Sequence, residues 1–443
     1  MKRIALACVA VAVLAASRIG MSAAVDQAAV DRAFQEFWSA PDQAAAAKRA
    51  DAVVKSGVSF DDAVARLRRG RDYSAGVGRG TQRGRHRTFD GVEHSYTFVV
   101  PANYDPTRQY QLRVQLHGGI GRPEQPDDTR LGVGRLPGTV EEIAVFPAAW
   151  ADSLWWQPSQ VDNLSKILDT LKRAYNVDEN RVYLTGTSDG GTGAYFMAFR
   201  DTTPWASFLP LIGAMTVLAT PDVGADGEMF PGNAANKPFF VVNAGRDRLY
   251  PARGVQPYVE HLMKLGADVV FHVQPDSDHN TDWWPEERAA YEAFVRSHPR
   301  DPLPDRLSWE TERTDRYNRA HWLVIDRLGE VAGQANLADS NLLRRDVETP
   351  AEAIFPRGKP SGRVDLARHA NVVEASTHGV RAFTLLLSPS TFDFSRPIRV
   401  VANRRTVFDG PVEPSVATLL KWAARDNDRT MLFGAELNIN LTK

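Results

Sequence analysis

Val182-Tyr183-Leu184-Thr185-Gly186-Thr187-Ser188-Asp189-Gly190-Gly191 carries a short apolar run of strand type straight into a Gly-x-Ser-x-Gly-Gly turn, and residues 192–200 read on as a helix. A serine on such a strand-to-helix turn is held in strained backbone that projects its hydroxyl out of the sheet. Glycines two residues before and after it leave room for the turn. Serine is a poor nucleophile without a neighbouring base, so the turn supplies geometry and the rest of the chain must supply chemistry. Taken alone, the motif also fits a plain glycine-rich turn with an exposed serine.

Two further strand-like runs follow, each opening into a candidate partner. Residues 238–244 lead into Gly245-Arg246-Asp247, and residues 269–273 lead into Gln274-Pro275-Asp276-Ser277-Asp278-His279. The order Ser188, Asp247, His279 is the Ser…Asp…His order of α/β-hydrolases, and in a parallel sheet all three would emerge at the carboxyl ends of strands. Asp276 and Asp278 are the alternatives for the acid. Asp278 adjoins His279, and adjacent side chains in extended backbone point apart, which favours Asp247. His272 alternates within a strand and reads as a satisfied sheet histidine. Upstream, the alternating run 111–116 ends in His117-Gly118-Gly119. A backbone N–H of Gly118 or Gly119 and the N–H of Asp189 would form the oxyanion hole, glycine letting the backbone approach a reacting carbonyl.

Between residues 88 and 299 strands alternate with helices. Strands are expected at 96–100, 112–116, 143–146, 182–184, 208–212, 239–243 and 269–273, and helices at 161–175, 193–200, 256–264 and 286–297. This is the alternation of an α/β fold, a mostly parallel sheet with helices on both faces. Before it, residues 25–87 read as Ala-rich helices, with Phe34, Phe37 and Trp38 sharing a face, followed by an Arg- and Gly-rich linker. After it, the prolines of His298-Pro299-Arg300-Asp301-Pro302-Leu303-Pro304 mark a second linker. Residues 300–443 then read as a small antiparallel β domain, with Thr377-His378-Gly379 as a hairpin turn.

Residues 1–24 have the form of a secretory signal peptide: Lys2 and Arg3, an apolar run over 4–16, then Ser22-Ala23-Ala24 as a cleavage site. That run is too short for a stable membrane span. The expected compartment is therefore the periplasm or the exterior, with no membrane span after cleavage. The only cysteine, Cys8, lies within the signal, which excludes disulfides, thiolate catalysis and thiolate zinc sites from the mature chain. With 53 Lys and Arg against 54 Asp and Glu, nothing in the charge points to nucleic acid. Tryptophan pairs at Trp155-Trp156 and Trp283-Trp284 fall in loops near the expected site, as flat walls for an aromatic or carbohydrate-linked ester or as edges of the core.

These residues make the chain resemble secreted α/β-hydrolase serine esterases. The Gly186–Gly191 elbow is similar to that of prolyl-oligopeptidase-like and dienelactone-hydrolase-like enzymes. The His117-Gly118-Gly119 and Gly245-Arg246-Asp247 motifs are similar to those of feruloyl-esterase and polyhydroxybutyrate-depolymerase-type enzymes. The resemblance covers residues 88–299. It implies cleavage of a small-molecule or polymeric ester by Ser188, with His279 as base, Asp247 orienting it, and no metal or organic cofactor. Prolyl oligopeptidases carry a β-propeller that some sixty residues between signal and hydrolase region cannot build, which weighs against a peptidase. A peptidase on the same machinery, and a binding protein on a degenerate scaffold, remain the alternatives.

Overall fold

The computed structural model describes residues 26–124, 142–219, 229–330 and 360–441. The expected signal peptide and Cys8 lie outside them. None of the helices among the described residues is long and apolar enough to cross a membrane.

Three helices open the described chain: α1 (Gln27–Trp38), α2 (Gln43–Lys55) and α3 (Phe60–Arg69). Asp26, Asp42 and Ser59 cap them by accepting hydrogen bonds from first-turn N–H groups, satisfying donors that a helix start leaves unpaired. Phe34 and Phe37 are buried, and the Arg71 guanidinium lies over the Trp38 ring.

The central sheet comes next: β1 (Gly80–Arg87), β2 (Glu93–Val100), β3 (Tyr110–Leu116), β4 (Glu142–Pro147), β5 (Val177–Thr187), β6 (Phe208–Leu211), β7 (Phe239–Ala244) and β8 (Val269–Gln274). Between strands run α4 (Pro158–Ala174), α5 (Asp189–Arg200) and α6 (Ala252–Lys264), and α7 (Trp284–Ser297) closes the unit. The strand order is β1-β2-β4-β3-β5-β6-β7-β8. β2 is antiparallel to both its neighbours and the other pairings are parallel. That order, with a serine turn between β5 and α5, is the α/β-hydrolase fold. The central strands read as continuous apolar runs because helices cover both faces; every residue of β7 is buried.

One expected linker is a strand. β1 pairs with β2 from Gly80↔Val100 to Arg87↔Glu93, so the sheet begins eight residues before the expected boundary at 88. Its Gly/Arg composition hides the strand because only one side of this edge strand is covered, and Thr81, Arg83, Arg85 and Arg87 take the exposed positions.

A buried ion cluster joins β3, β4 and α7. Arg113, 1% exposed, reaches Glu142 at 2.8 Å and Glu292 at 3.1 Å, with its guanidinium over the Tyr291 ring. Burial pushes the Glu142 carboxyl above its usual range, against the pull of Arg113. Two carboxylates share one cation, so removing the cation strands both in a dry interior. Arg113→Ala should cost about 3–5 kcal/mol of stability, read as a lowered urea midpoint.

The C-terminal region holds β9 (Arg306–Thr311), β10 (Arg319–Ala320), β11 (Leu323–Leu328), β12 (Gly362–His369), β13 (Val372–His378), β14 (Val380–Leu387), β15 (Ile398–Ala402), β16 (Arg405–Gly410), α8 (Val416–Asp426) and β17 (Ala435–Asn440). The strands form two sheets, β10-β11-β14-β17 and β16-β15-β13-β12-β9, around a core containing Trp309, Trp322 and Trp422. The expected Thr377–Gly379 hairpin is absent as such. β13 pairs with β12 and β15, while β14 pairs with β11 and β17, so Gly379, with φ of 63°, carries the chain from one sheet to the other. A local turn signature marks a reversal but does not say which strands will pair.

The helical and β regions are not independent. α1–α3 share a core with Leu419, Leu420 and Ala423 of α8. Arg429 binds Glu179 at 2.7 Å, and Arg300 ties Asn180 to Asp428. Glu179 and Asn180 lie near the start of β5, nine and eight residues before Ser188. At about 3.3 Å per residue the anchorage is some 25–30 Å from the nucleophile turn along that strand.

Candidate active site

The serine turn is built by close backbone approach. A Cβ on Gly186 would overlap the Gly190 carbonyl, and one on Gly190 would overlap the Leu116 carbonyl. The motif's glycines are thus required by contact between β5, α5 and the end of β3. Ser188 itself has φ 57° and ψ −119°, a conformation L-residues avoid at a cost of order 1–3 kcal/mol. Its N–H donates to the Leu211 carbonyl at 2.9 Å, and its carbonyl accepts from Thr192 N–H at 3.0 Å, so the surrounding structure holds the strain in place.

The three residues expected to converge do so. His279 Nε2 lies 2.8 Å from Ser188 Oγ, and His279 Nδ1 lies 2.7 Å from Asp247 Oδ2. The Asp247 side chain is fully shielded from solvent, whereas that of His279 keeps 23% of its exposure. The acid is enclosed and the base is open to an incoming molecule. The other Asp247 oxygen accepts from the N–H groups of Leu249 at 2.7 Å and Tyr250 at 2.9 Å. Those bonds fix the carboxylate in a turn rather than as the cap of α6. Asp276 pairs with Arg246 at the surface and Asp278 is exposed. His272 binds Glu287 at 2.7 Å, the satisfied strand histidine expected of it.

The loop after β3 is fixed from three sides. Ala149 N–H donates to His117 Nε2 at 3.1 Å, which makes Nδ1 the protonated nitrogen, and Nδ1 donates to the Gly118 carbonyl at 2.9 Å. Trp155 Nε1 donates to the His117 carbonyl at 2.8 Å. The Asp189 carboxylate reaches across from the start of α5 and accepts from Gly119 N–H at 2.8 Å and Ile120 N–H at 3.1 Å. This corrects one expectation: Gly119 N–H is engaged by Asp189 and is not a free oxyanion donor. Gly118 lies against the nucleophile, since a Cβ there would sit 3.3 Å from Ser188 Oγ. Gly119 has φ of 69°, the left-handed region that favours glycine.

The tryptophan walls are also corrected. Trp155, Trp156 and Trp283 are 0%, 4% and 3% exposed, and Trp284 packs against Tyr291. Trp155 lies beneath Gly193 and braces the His117 loop; Trp283 Nε1 donates to the Asn280 carbonyl just past His279. Large aromatic surface beside a loop is driven into the core when the next layer leaves room for it, and Gly193 leaves that room. Tyr250 was missed. Its ring lies edge-on to His279 at 5.5 Å. Burial, then the charges of Asp189 and Asp247, push its hydroxyl up to about 12, so it stays a neutral phenol. The only signal for it in the sequence was its place three residues after Asp247.

No family model matches the chain. A curated protein, dipeptidyl aminopeptidase A of Saccharomyces cerevisiae, is 22% identical over 239 residues, which is 46% of this chain and 26% of that protein. The chain thus spans about a quarter of the length of this relative. Among solved structures, a thermostable esterase is similar at TM-score 0.39 and 22% identity, over 50% of this chain and 63% of that one. A putative dipeptidyl aminopeptidase IV from Bacteroides ovatus is similar at TM-score 0.41 and 13% identity, over 49% and 36% of the two chains.

Proposed function

We propose that the chain is an exported serine hydrolase of carboxylic esters. The observation that carries this is the unbroken line from Ser188 Oγ through the His279 ring to the shielded Asp247 carboxylate, at 2.8 and 2.7 Å. In this reading Oγ attacks the acyl carbon as His279 Nε2 takes its proton, and Asp247 holds the imidazole and offsets its charge. The N–H groups of Asp189 and Gly118 receive the developing oxyanion. Collapse of the tetrahedral species expels the alcohol, which takes the proton from His279. Water, deprotonated by the same ring, then releases the acid and restores Ser188.

The relative's name raises the other reading, a peptidase acting near a free amino terminus. One observation weighs against it. The cavity beside the His117 loop is lined by Arg83, Arg85 and Arg122 and by no carboxylate among its described lining residues, and an ammonium group would be repelled there.

A fluorophosphonate probe tests the class. Labelling of the wild type but not of Ser188→Ala supports a serine hydrolase, whereas absence of labelling in both would leave a binding protein on this scaffold. Turnover of short 4-nitrophenyl esters without cleavage of peptide anilides would favour the esterase.

Asp189 has a positioning role in this scheme. Asp189→Asn keeps an oxygen for the Gly119 and Ile120 N–H groups and should retain most of kcat. Asp189→Ala releases the loop that carries Gly118 and should lower kcat by about 10–100-fold, with KM changed much less. Equal kinetics for the two variants would remove that role.

A further inference from the structure

We infer that the cavity beside the oxyanion loop is an anion subsite, and that the substrate of the proposed hydrolase carries a carboxylate on the portion seated there. The inference rests on the proposed function and names its substrate class.

The cavity has a volume of about 360 Å³ and runs from His117, Gly118 and Gly119 along β4 and β2 to the edge strand β1. That is within the range of small-molecule sites, roughly 300–1,000 Å³. Gly118 belongs both to this lining and to the contact with Ser188, so the cavity borders the nucleophile turn. The charge is one-sided: three guanidinium groups and no carboxylate among the described lining residues.

The three arginines differ. Arg85 is paired with Glu93 at 2.8 Å in an exposed bridge. Arg83 lies on the same exposed face of β1. Arg122 has no ion-pair or hydrogen-bond partner for its side chain among the described residues, and its guanidinium carbon lies 3.9 Å from where a Gly119 Cβ would be. An unpaired guanidinium held against the oxyanion loop can bind a carboxylate with two parallel hydrogen bonds.

Gln115 supplies a second, independent indication. It is 9% exposed, lines the same cavity, and its amide oxygen has no hydrogen-bond partner. A buried polar atom left unpaired is destabilising, and a donor on a bound molecule would satisfy it. The chemistry of the cavity is therefore that of a ligand with one carboxylate and a nearby hydroxyl or amide donor. The Asp189 charge is offset in part by the Gly119 and Ile120 N–H groups it accepts from and by the N-terminus of α5 that it opens.

The test uses two matched ester pairs on the full chain, each corrected for spontaneous hydrolysis. Mono(4-nitrophenyl) adipate against 4-nitrophenyl hexanoate places the charge on the acyl side. 4-Acetoxybenzoate against phenyl acetate places it on the alcohol side. One anionic ester should exceed its neutral partner in kcat/KM by about tenfold or more at low salt, and the ratio should shrink as salt screens the pair. Arg122→Ala should reduce that ratio about tenfold, with Arg122→Lys intermediate; the side chain is exposed, so neither change threatens folding. Preference for the neutral member in both pairs, or a ratio untouched by Arg122→Ala, would overturn the subsite. Fluorophosphonate labelling run in parallel separates the two claims. Intact labelling without charge preference sinks the subsite alone, whereas no labelling of the wild type sinks the hydrolase reading with it.

Discussion

Ser188→Ala is expected to lower kcat on 4-nitrophenyl esters by about 10⁴-fold or more, because no covalent intermediate can then form and only binding and oxyanion stabilisation remain. The same position carries a second, separable expectation. Ser188 has φ of 57°, and alanine keeps the Cβ that makes this conformation unfavourable. Glycine removes it. Ser188→Gly should therefore be as inactive as Ser188→Ala yet more resistant to urea, by about 1 kcal/mol net of the flexibility glycine adds to the unfolded chain. Activity in either variant within a hundredfold of wild type would show that another group attacks the substrate. Equal stability of the two would show that the turn stores no strain.

The contrast between what the sequence announced and what it concealed follows from the range of each interaction. The elbow was legible because its requirements are local: Gly186 and Gly190 must be bare where β5, α5 and the Leu116 carbonyl meet. The central strands were legible as apolar runs bounded by turn residues, since burial on both faces leaves them little choice of composition. His279 and Asp247 were found because each follows such a run, and the fold brings strand ends to one edge of the sheet.

What escaped depends on contacts between segments far apart. The sequence marks Asp189 only as the backbone donor after the nucleophile and gives its carboxylate no role. Its bonds run 69 and 70 residues back along the chain, to Ile120 and Gly119, and nothing near it in sequence points there. The tryptophan pairs fit either site walls or core edges in the sequence, because a loop position does not fix exposure; the space that receives Trp155 is made by Gly193 on another element. Strand β1 was lost because a half-exposed edge needs no apolar pattern. Arg113 and Gln115 sat in a correctly placed strand without distinction. Only the sheet and α7 set Glu142 and Glu292 around Arg113 and place the Gln115 amide at a cavity wall.

Asp247→Asn should match the serine variants in severity, losing about 10⁴-fold in kcat, although no atom that touches substrate is removed. One Asp247 oxygen accepts two backbone donors, from Leu249 and Tyr250, and the other accepts the Nδ1 proton of His279. Asparagine has one oxygen and one NH₂ in the same outline. Turning the NH₂ toward Leu249 and Tyr250 would set donors against donors, so the oxygen stays there and the NH₂ faces His279. Nδ1 must then accept, which moves the ring proton to Nε2, where it points at Ser188 Oγ. An imidazole protonated at that nitrogen cannot take the serine proton, and the corresponding change in another serine hydrolase triad costs a loss of this size. The backbone bonds that fix the turn survive, so the urea midpoint should stay close to wild type. Retention of more than a tenth of the wild-type kcat would mean that Asp247 does not set the tautomer of His279.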